Sequence, residues 1–191
     1  MRNIYDLTRE QLEDYFLSLG EKKFKAIQLY TWLYQKKIKS FDMITDIKKS
    51  IITHLESDFS ISNIELVKVE RDTEVNKYLF RLQDNSLIES VLMRHDYGTS
   101  ICISSEVGCN MGCKFCESGR LKKVRGLETG EMVEQILAVE DDIKDKITHV
   151  VVMGIGEPFD NYDNVTTFVK IINHPKGLAI GSRHITISTS G

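Results

Sequence analysis

Three cysteines, Cys109, Cys113 and Cys116, stand in the run Gly-Cys-Asn-Met-Gly-Cys-Lys-Phe-Cys, a C-x3-C-x2-C spacing. Structural zinc takes four protein ligands, usually from two separate pairs. Here three thiols share one short segment, and the sequence holds no second pair. Three thiolates suit a [4Fe-4S] cluster whose fourth iron stays open for a ligand, so the spacing points to a catalytic metal centre. The spacing taken alone also admits a zinc knuckle with a distant fourth ligand, or a group of buried thiols.

A second run, Met153-Gly-Ile-Gly-Glu-Pro158, follows the apolar segment His149-Val-Val-Val-Met153. Gly154 and Gly156 let the backbone approach a ligand closely. Glu157 puts a carboxylate at the carboxyl end of a parallel strand, where α/β sheets bind their ligands. Pro158 suits the first turn of a helix. A plain strand-to-helix turn would look the same. The run Ile187-Ser-Thr-Ser-Gly191 ends a further strand and offers the hydroxyls of Ser188 and Ser190 on the same rim, with strand capping as the alternative.

These residues need a frame. The first part reads as helical: a capped amphipathic helix from Asp6 to near Gly20, and a second from Lys22 with Ile27, Tyr30, Tyr34 and Ile38 in its apolar stripe, broadened by Trp32 and Leu33. A third runs from Ile44 to Leu55. Alternating segments then read as strands at Ile64–Glu70, Lys77–Leu82 and Leu87–Met93, the last two joined by the turn sequence Gln83–Ser86. A boundary is expected near Tyr97–Gly98, dividing residues 1–97, an accessory domain, from 98–191. After it the rhythm is βαβαβ: a strand at Ser100–Ser104, a helix capped by Thr129, the strand His149–Met153, a helix over Asn161–Ile172, and a strand at His184–Ser190. This predicts an α/β protein: helices and a small antiparallel sheet, followed by the start of a parallel sheet or barrel. An apolar strand at an open edge is a liability, so a second half of the barrel is expected beyond Gly191.

Composition agrees with a globular domain: 41% hydrophobic and 28% charged residues. The start has no secretory h-region, and no apolar run is long enough to span a bilayer. All four cysteines lie between Cys102 and Cys116, which argues for a reducing, cytoplasmic setting and a metal or redox site rather than a disulfide scaffold. Net charge is −3, yet Glu21–Ser50 carries eight lysines against three acids, and Arg120-Leu-Lys-Lys-Val-Arg125 follows the cysteines directly. Such runs are often solvated faces; beside a catalytic motif they also suit a phosphate backbone.

Taken in order, Ile88-Glu-Ser-Val-Leu-Met93, Cys102-Ile-Ser-Ser-Glu-Val-Gly-Cys109, the three-cysteine loop, Met153-Gly-Ile-Gly-Glu-Pro158 and Ile187-Ser-Thr-Ser-Gly191 resemble one family. It is the radical S-adenosylmethionine (SAM) methyltransferases that methylate C2 of an adenine in 23S ribosomal RNA, many of which also modify tRNA. Lys25-Ala-Ile-Gln-Leu-Tyr-Thr-Trp-Leu-Tyr34 is similar to that family's helical accessory domain.

The resemblance implies the first half of a partial (β/α)6 barrel, with a [4Fe-4S] cluster on Cys109, Cys113 and Cys116, and SAM held at Gly156, Glu157 and Ser188. It implies Glu89 as the base that removes the C2 proton, and Cys102 as the thiol that resolves a covalent enzyme–RNA adduct by forming a disulfide. In the family the methyl-carrying cysteine lies beyond the point where this sequence ends, so these residues alone are not expected to turn over. The implied partners are 23S rRNA, tRNA and an electron donor such as flavodoxin or ferredoxin, for a monomeric enzyme away from membranes. Three other readings stay open: a C8-methylating resistance variant, a radical SAM activase of glycyl-radical proteins, and a non-catalytic zinc-binding RNA module. The helical accessory segment and Glu89 speak against the activase.

Overall fold

The computed structural model describes residues 1–190; Gly191, the last residue of the Ile187–Gly191 motif, lies outside the described residues. The chain opens with β1 (Arg2–Asn3) and reaches α1 (Arg9–Ser18) through a 3-10 turn. Thr8 caps α1, accepting from the Gln11 N–H while the Gln11 side chain accepts from the Thr8 N–H, so two orphan donors satisfy each other. Asp6 is not part of that cap: its Oδ1 accepts the Gly130 N–H, far along the chain.

Next comes α2 (Phe24–Tyr30), which continues as a π-helical turn over Thr31–Gln35. The expected stripe is buried across this turn: Tyr30, Trp32, Leu33, Tyr34 and Ile38 are buried, and Ile27 is half-buried. The third helix, α3 (Lys49–Asp58), begins later than Ile44, because a 3-10 turn occupies Phe41–Met43 and Trp32 Nε1 fixes the connecting loop by donating to Asp46 Oδ1 at 2.6 Å. It leads into β2 (Phe59–Ser60), which pairs with β1.

Then follow β3 (Ile64–Arg71), β4 (Val75–Leu82), β5 (Leu87–His95) and β6 (Gly98–Ile103). The short β7 (Glu106–Val107) and β8 (Arg125–Gly126) precede α4 (Thr129–Ile143), β9 (His149–Val152), α5 (Tyr162–Asn173) and β10 (Ile185–Ile187). The main sheet has the order β10-β9-β6-β5-β4-β3. The antiparallel meander and the parallel strands are therefore one six-stranded sheet, joined where His95 pairs with Gly98 across the Asp96–Tyr97 turn. Such a short connection leaves β6 no choice but to lie beside β5.

One face of this sheet is buried under α4 and α5. Tyr78, Phe80, Ile88, Leu92, Ile101, Ile103, Val150 and Val152 alternate along their strands toward Met132, Val133, Ile136 and Phe168 of the helices. Glu128, rather than Thr129, caps α4: the Glu131 carboxylate accepts its N–H at 2.8 Å, and the Thr129 hydroxyl instead donates to the Asn164 carbonyl.

Helix α4 also gathers buried acids that join the parts of the molecule. Glu134 accepts from Asn3 Nδ2 and the Asn63 N–H, both at 2.8 Å. Burial pushes its carboxyl up to about 8, against the opposing effect of those hydrogen bonds. Glu140 pairs with Lys37 at 2.8 Å. Among the described residues no helix is long and apolar enough to cross a membrane.

Gln135, fully buried on α4, holds the end of β6: its Oε1 accepts from the Ser90 hydroxyl at 2.8 Å and the Ser104 N–H at 3.0 Å, and its Nε2 donates to the Ser104 carbonyl at 3.1 Å. Gln135→Leu leaves all three groups buried without partners. It is expected to lower the unfolding free energy by about 3 kcal/mol, as measured by urea denaturation; a loss under ~1 kcal/mol would show that Gln135 does not hold this junction.

Candidate active site

Strands β6, β9 and β10 run parallel, so their carboxyl ends lie side by side. Cys102 pairs with Val91 on one side and Val151 on the other, and is half-buried on the sheet face opposite the helices. Glu89, two residues from Val91, shares that face. The Ser104 hydroxyl donates to its carbonyl at 2.7 Å, which brings Glu89 to the same end as the β6 terminus. The Glu89 carboxylate lies 2.8 Å from the Lys77 ammonium, beside a small pocket of about 130 Å³ that Lys68, Glu70 and Leu79 also line.

The cysteine loop leaves the same end of β6 and is closed at its base. Glu106 and Val107 pair with Gly126 and Arg125, the Val124 N–H donates to the Val107 carbonyl at 2.8 Å, and the Cys109 N–H donates to the Leu121 carbonyl at 2.9 Å. Within the loop the Cys116 N–H donates to the Cys113 carbonyl at 3.1 Å. All three thiols are free and half-buried, a soft donor set that suits an iron–sulfur cluster. Among the described residues no three metal-ligating side chains are already gathered to hold a metal ion.

The turn after β9 packs against this base. The Gly154 N–H donates to the Ile103 carbonyl at 3.0 Å, and the Ile155 carbonyl accepts from the N–H groups of both Ser105 and Glu106. Gly156 has φ +116° and lies so close to Glu106 that a Cβ would sit 2.6 Å from the Glu106 side chain, so this position accepts only glycine. Glu157 then projects from the rim, buried. One carboxylate oxygen accepts from the Phe159 N–H at 3.0 Å and the Thr189 hydroxyl at 2.6 Å; the other accepts from the Ser190 N–H at 2.9 Å and hydroxyl at 3.0 Å. Burial works to raise its pKa, but these donors outweigh it and hold the carboxyl at about 2.

Comparison with known proteins sets this arrangement among relatives. Residues 2–61 match the ribosomal RNA large subunit methyltransferase N-terminal domain, and residues 103–191 match the radical SAM superfamily. A "probable dual-specificity RNA methyltransferase RlmN" of Enterococcus faecalis is 54% identical over 195 residues, covering 99% of this chain and 55% of that protein. Its counterpart in Streptococcus thermophilus is 52% identical over 99% of this chain and 50% of that protein. A crystal structure of a radical SAM methyltransferase from Sphaerobacter thermophilus superposes with a TM-score of 0.91 at 34% identity, covering all of this chain and 57% of that one. The chain thus joins a match to the N-terminal domain of the ribosomal RNA large subunit methyltransferases to a match to the radical SAM superfamily. It spans about half the length of the curated relatives it matches.

The segments singled out from sequence leave the same end of the parallel strands β6, β9 and β10. Ser188 is exposed, its N–H donating to the Val152 carbonyl at 3.2 Å, while Thr189 and Ser190 turn to Glu157. That capture ends β10 at Ile187, short of the strand expected to reach Ser190. Burial raises the pKa of the Cys102 thiol, partly offset by the Met153 backbone N–H.

The basic segment after the cysteines is largely committed inward. Arg125 reaches Asp84 and Glu131, both at 2.7 Å, while Lys123 reaches Glu106 at 2.5 Å and Asp160 at 3.5 Å. Glu106 itself is fully buried and its Oε2 accepts the Glu157 N–H at 2.9 Å. Neither Glu106 nor Lys123 was singled out from sequence by itself: Glu106 stands inside the run Cys102–Cys109 and Lys123 inside the basic run Arg120–Arg125.

A carboxylate held below its unfolded pKa of about 4.5 contributes stability above that pH and loses it as pH falls toward about 2. Glu157→Gln should therefore cost about 2 kcal/mol at pH 7, and the gap to the wild type should close as pH falls from about 5 to about 2. Chemical denaturation across that range measures it; a gap that does not depend on pH would contradict an ionised, hydrogen-bonded Glu157.

Proposed function

We propose that this chain supplies the cluster loop, part of the SAM site and two reaction residues of a methyltransferase acting on C2 of an adenine in 23S ribosomal RNA and on tRNA. The observation that supports the reading is that the cysteine loop and Glu157 follow the carboxyl ends of neighbouring parallel strands, at the end of the sheet where Cys102 and Glu89 share its open face. The printed name of the curated relatives, dual-specificity RNA methyltransferase, supports an RNA substrate.

Cys109, Cys113 and Cys116 would hold the [4Fe-4S] cluster, and Gly156, Glu157 and Ser188 would meet SAM. When bound, the cluster supplies the electron that turns SAM into a radical source. Glu157, ionised across the neutral range, offers a negative site for an ammonium group, with Thr189 and Ser190 as the donors it would share. C2 of adenine is an electrophilic amidine carbon that ordinary polar methyl transfer does not reach. Glu89 would remove its proton from the sheet face, with Lys77 beside the carboxylate. Cys102, a free thiol here, would attack the sulfur of the cysteine joined through a methylene to C2 in the enzyme–RNA adduct: the disulfide forms as the S–CH2 bond breaks, and the released carbon takes up a proton to become the product methyl group. That second cysteine is not among the four in this sequence, so turnover needs it in addition.

The acceptor base must leave its stack to reach this rim, which favours loops and single-stranded RNA. Of the eight lysines in Glu21–Ser50, Lys23, Lys37, Lys39 and Lys48 pair with acids, which leaves Lys22, Lys25, Lys36 and Lys49 as the candidates for the RNA backbone. A flavodoxin or ferredoxin as electron donor, a monomeric state and a cytoplasmic setting complete the proposal.

Anaerobic reconstitution with iron and sulfide, followed by electron paramagnetic resonance, tests it. The expected result is a four-iron signal that shifts on adding SAM and is lost in Cys113→Ala and Cys116→Ala. Zinc without iron or sulfide, or a cluster indifferent to both substitutions, would refute it.

A further inference from the structure

Lys123 stands on the return arm of the cysteine loop, between Cys116 and β8, and it touches both partners of the Glu157 backbone. Its ammonium lies 2.5 Å from Glu106 Oε1 and 3.5 Å from Asp160 Oδ2, and it donates to the Asp160 carbonyl at 3.4 Å. Glu106 Oε2 accepts the Glu157 N–H at 2.9 Å, and the Asp160 N–H donates to the Glu157 carbonyl at 3.0 Å. One side chain from the loop therefore grips Glu157 from both sides of its backbone. The grip is rigid, because Glu106 is fully buried and packs where a Gly156 Cβ would be.

We propose that Lys123 is a positioning residue, fixing the Glu157 turn relative to the cysteine loop so that one SAM molecule meets both. The inference rests on the assignment of the cluster and SAM sites above. In that assignment SAM would have to meet the cluster held by Cys109, Cys113 and Cys116 and the Glu157 carboxylate together, and a shift of about an ångström between two anchors is enough to weaken simultaneous contact strongly. A salt bridge serving only to hold the fold would not set that separation, so stability and SAM binding should come apart on substitution.

Two measurements test this on the 191-residue chain. In the metal-free protein, hydrogen exchange at the Glu157 amide should quicken at least tenfold in Lys123→Met, while the Gly154 amide, bonded to Ile103, keeps its protection. In the reconstituted protein, Lys123→Met should retain wild-type iron and sulfide content but need at least tenfold more SAM to shift the paramagnetic signal. Lys123→Arg should restore binding to within about threefold. The double variant Glu106→Gln/Lys123→Met, which leaves no buried charge unpaired, should fold and still bind SAM weakly.

Unchanged exchange at Glu157 in Lys123→Met overturns the proposal, as does wild-type SAM affinity in both methionine variants. A loss of SAM response that only follows loss of the cluster overturns it too. If the wild-type chain itself shows no SAM response, the site assignment fails, and the exchange measurement still decides whether Lys123 fixes Glu157.

Discussion

The carbonyl of Ile155 accepts two backbone N–H groups, those of Ser105 and Glu106, and the rest of the rim depends on that contact. It is the point where the loops leaving two neighbouring parallel strands are locked together. Parallel strands deliver their carboxyl ends to one side of a sheet, but the loops beyond them are free to diverge. Here the lock is reinforced by the Gly154–Ile103 hydrogen bond, by Gly156 packed on Glu106, and by Asn161 Nδ2, which donates to the carbonyls of Ser105 and Leu127 at 2.9 and 2.8 Å. A thiol loop and a carboxylate about fifty positions apart in the chain become neighbours because backbone groups that had to be satisfied somewhere are satisfied by each other.

Buried acids do a related job on the other side of the sheet. Helix α4 carries Glu131, Glu134 and Glu140 into the interior, and each has a partner from a different part of the chain: Arg125, Asn3 with Asn63, and Lys37. Such groups are costly to bury unpaired, so they tolerate few alternative arrangements. They orient the N-terminal helices on α4, and through Arg125 and Asp84 they tie the cysteine loop to the turn between β4 and β5. The helical segment and the sheet therefore share their polar contacts as well as an apolar core.

The continuity of the sheet gives the rim its second resource. Because β5 and β6 are joined by a tight turn, the antiparallel meander presents Glu89 on the same face as Cys102. A carboxylate and a thiol from strands of opposite direction thus face one space, and the parallel strands beyond them add Glu157. The Lys77–Glu89 pair on that face sits in a shallow, partly solvated position, where pairing is worth little to stability and more to orientation.

Much of this was written in the sequence. The spacing of Cys109, Cys113 and Cys116, the Gly-Ile-Gly-Glu-Pro turn after an apolar strand, and the alternation in residues 64–93 are local patterns. Local patterns survive because a strand's period, a turn's glycines and a metal loop's ligands are set by residues within a few positions of one another. What the sequence could not display were choices made between distant segments. Glu128 displaced Thr129 as the cap of α4 because Thr129 found a partner on α5. Thr189 and Ser190 were drawn from strand to Glu157. Lys123 and Arg125, two charges in a basic run, turned out to be tied to buried or half-buried acids. Each outcome depended on which donor met which acceptor once the chain was compact, and that competition between partners far apart in sequence is settled only by tertiary structure.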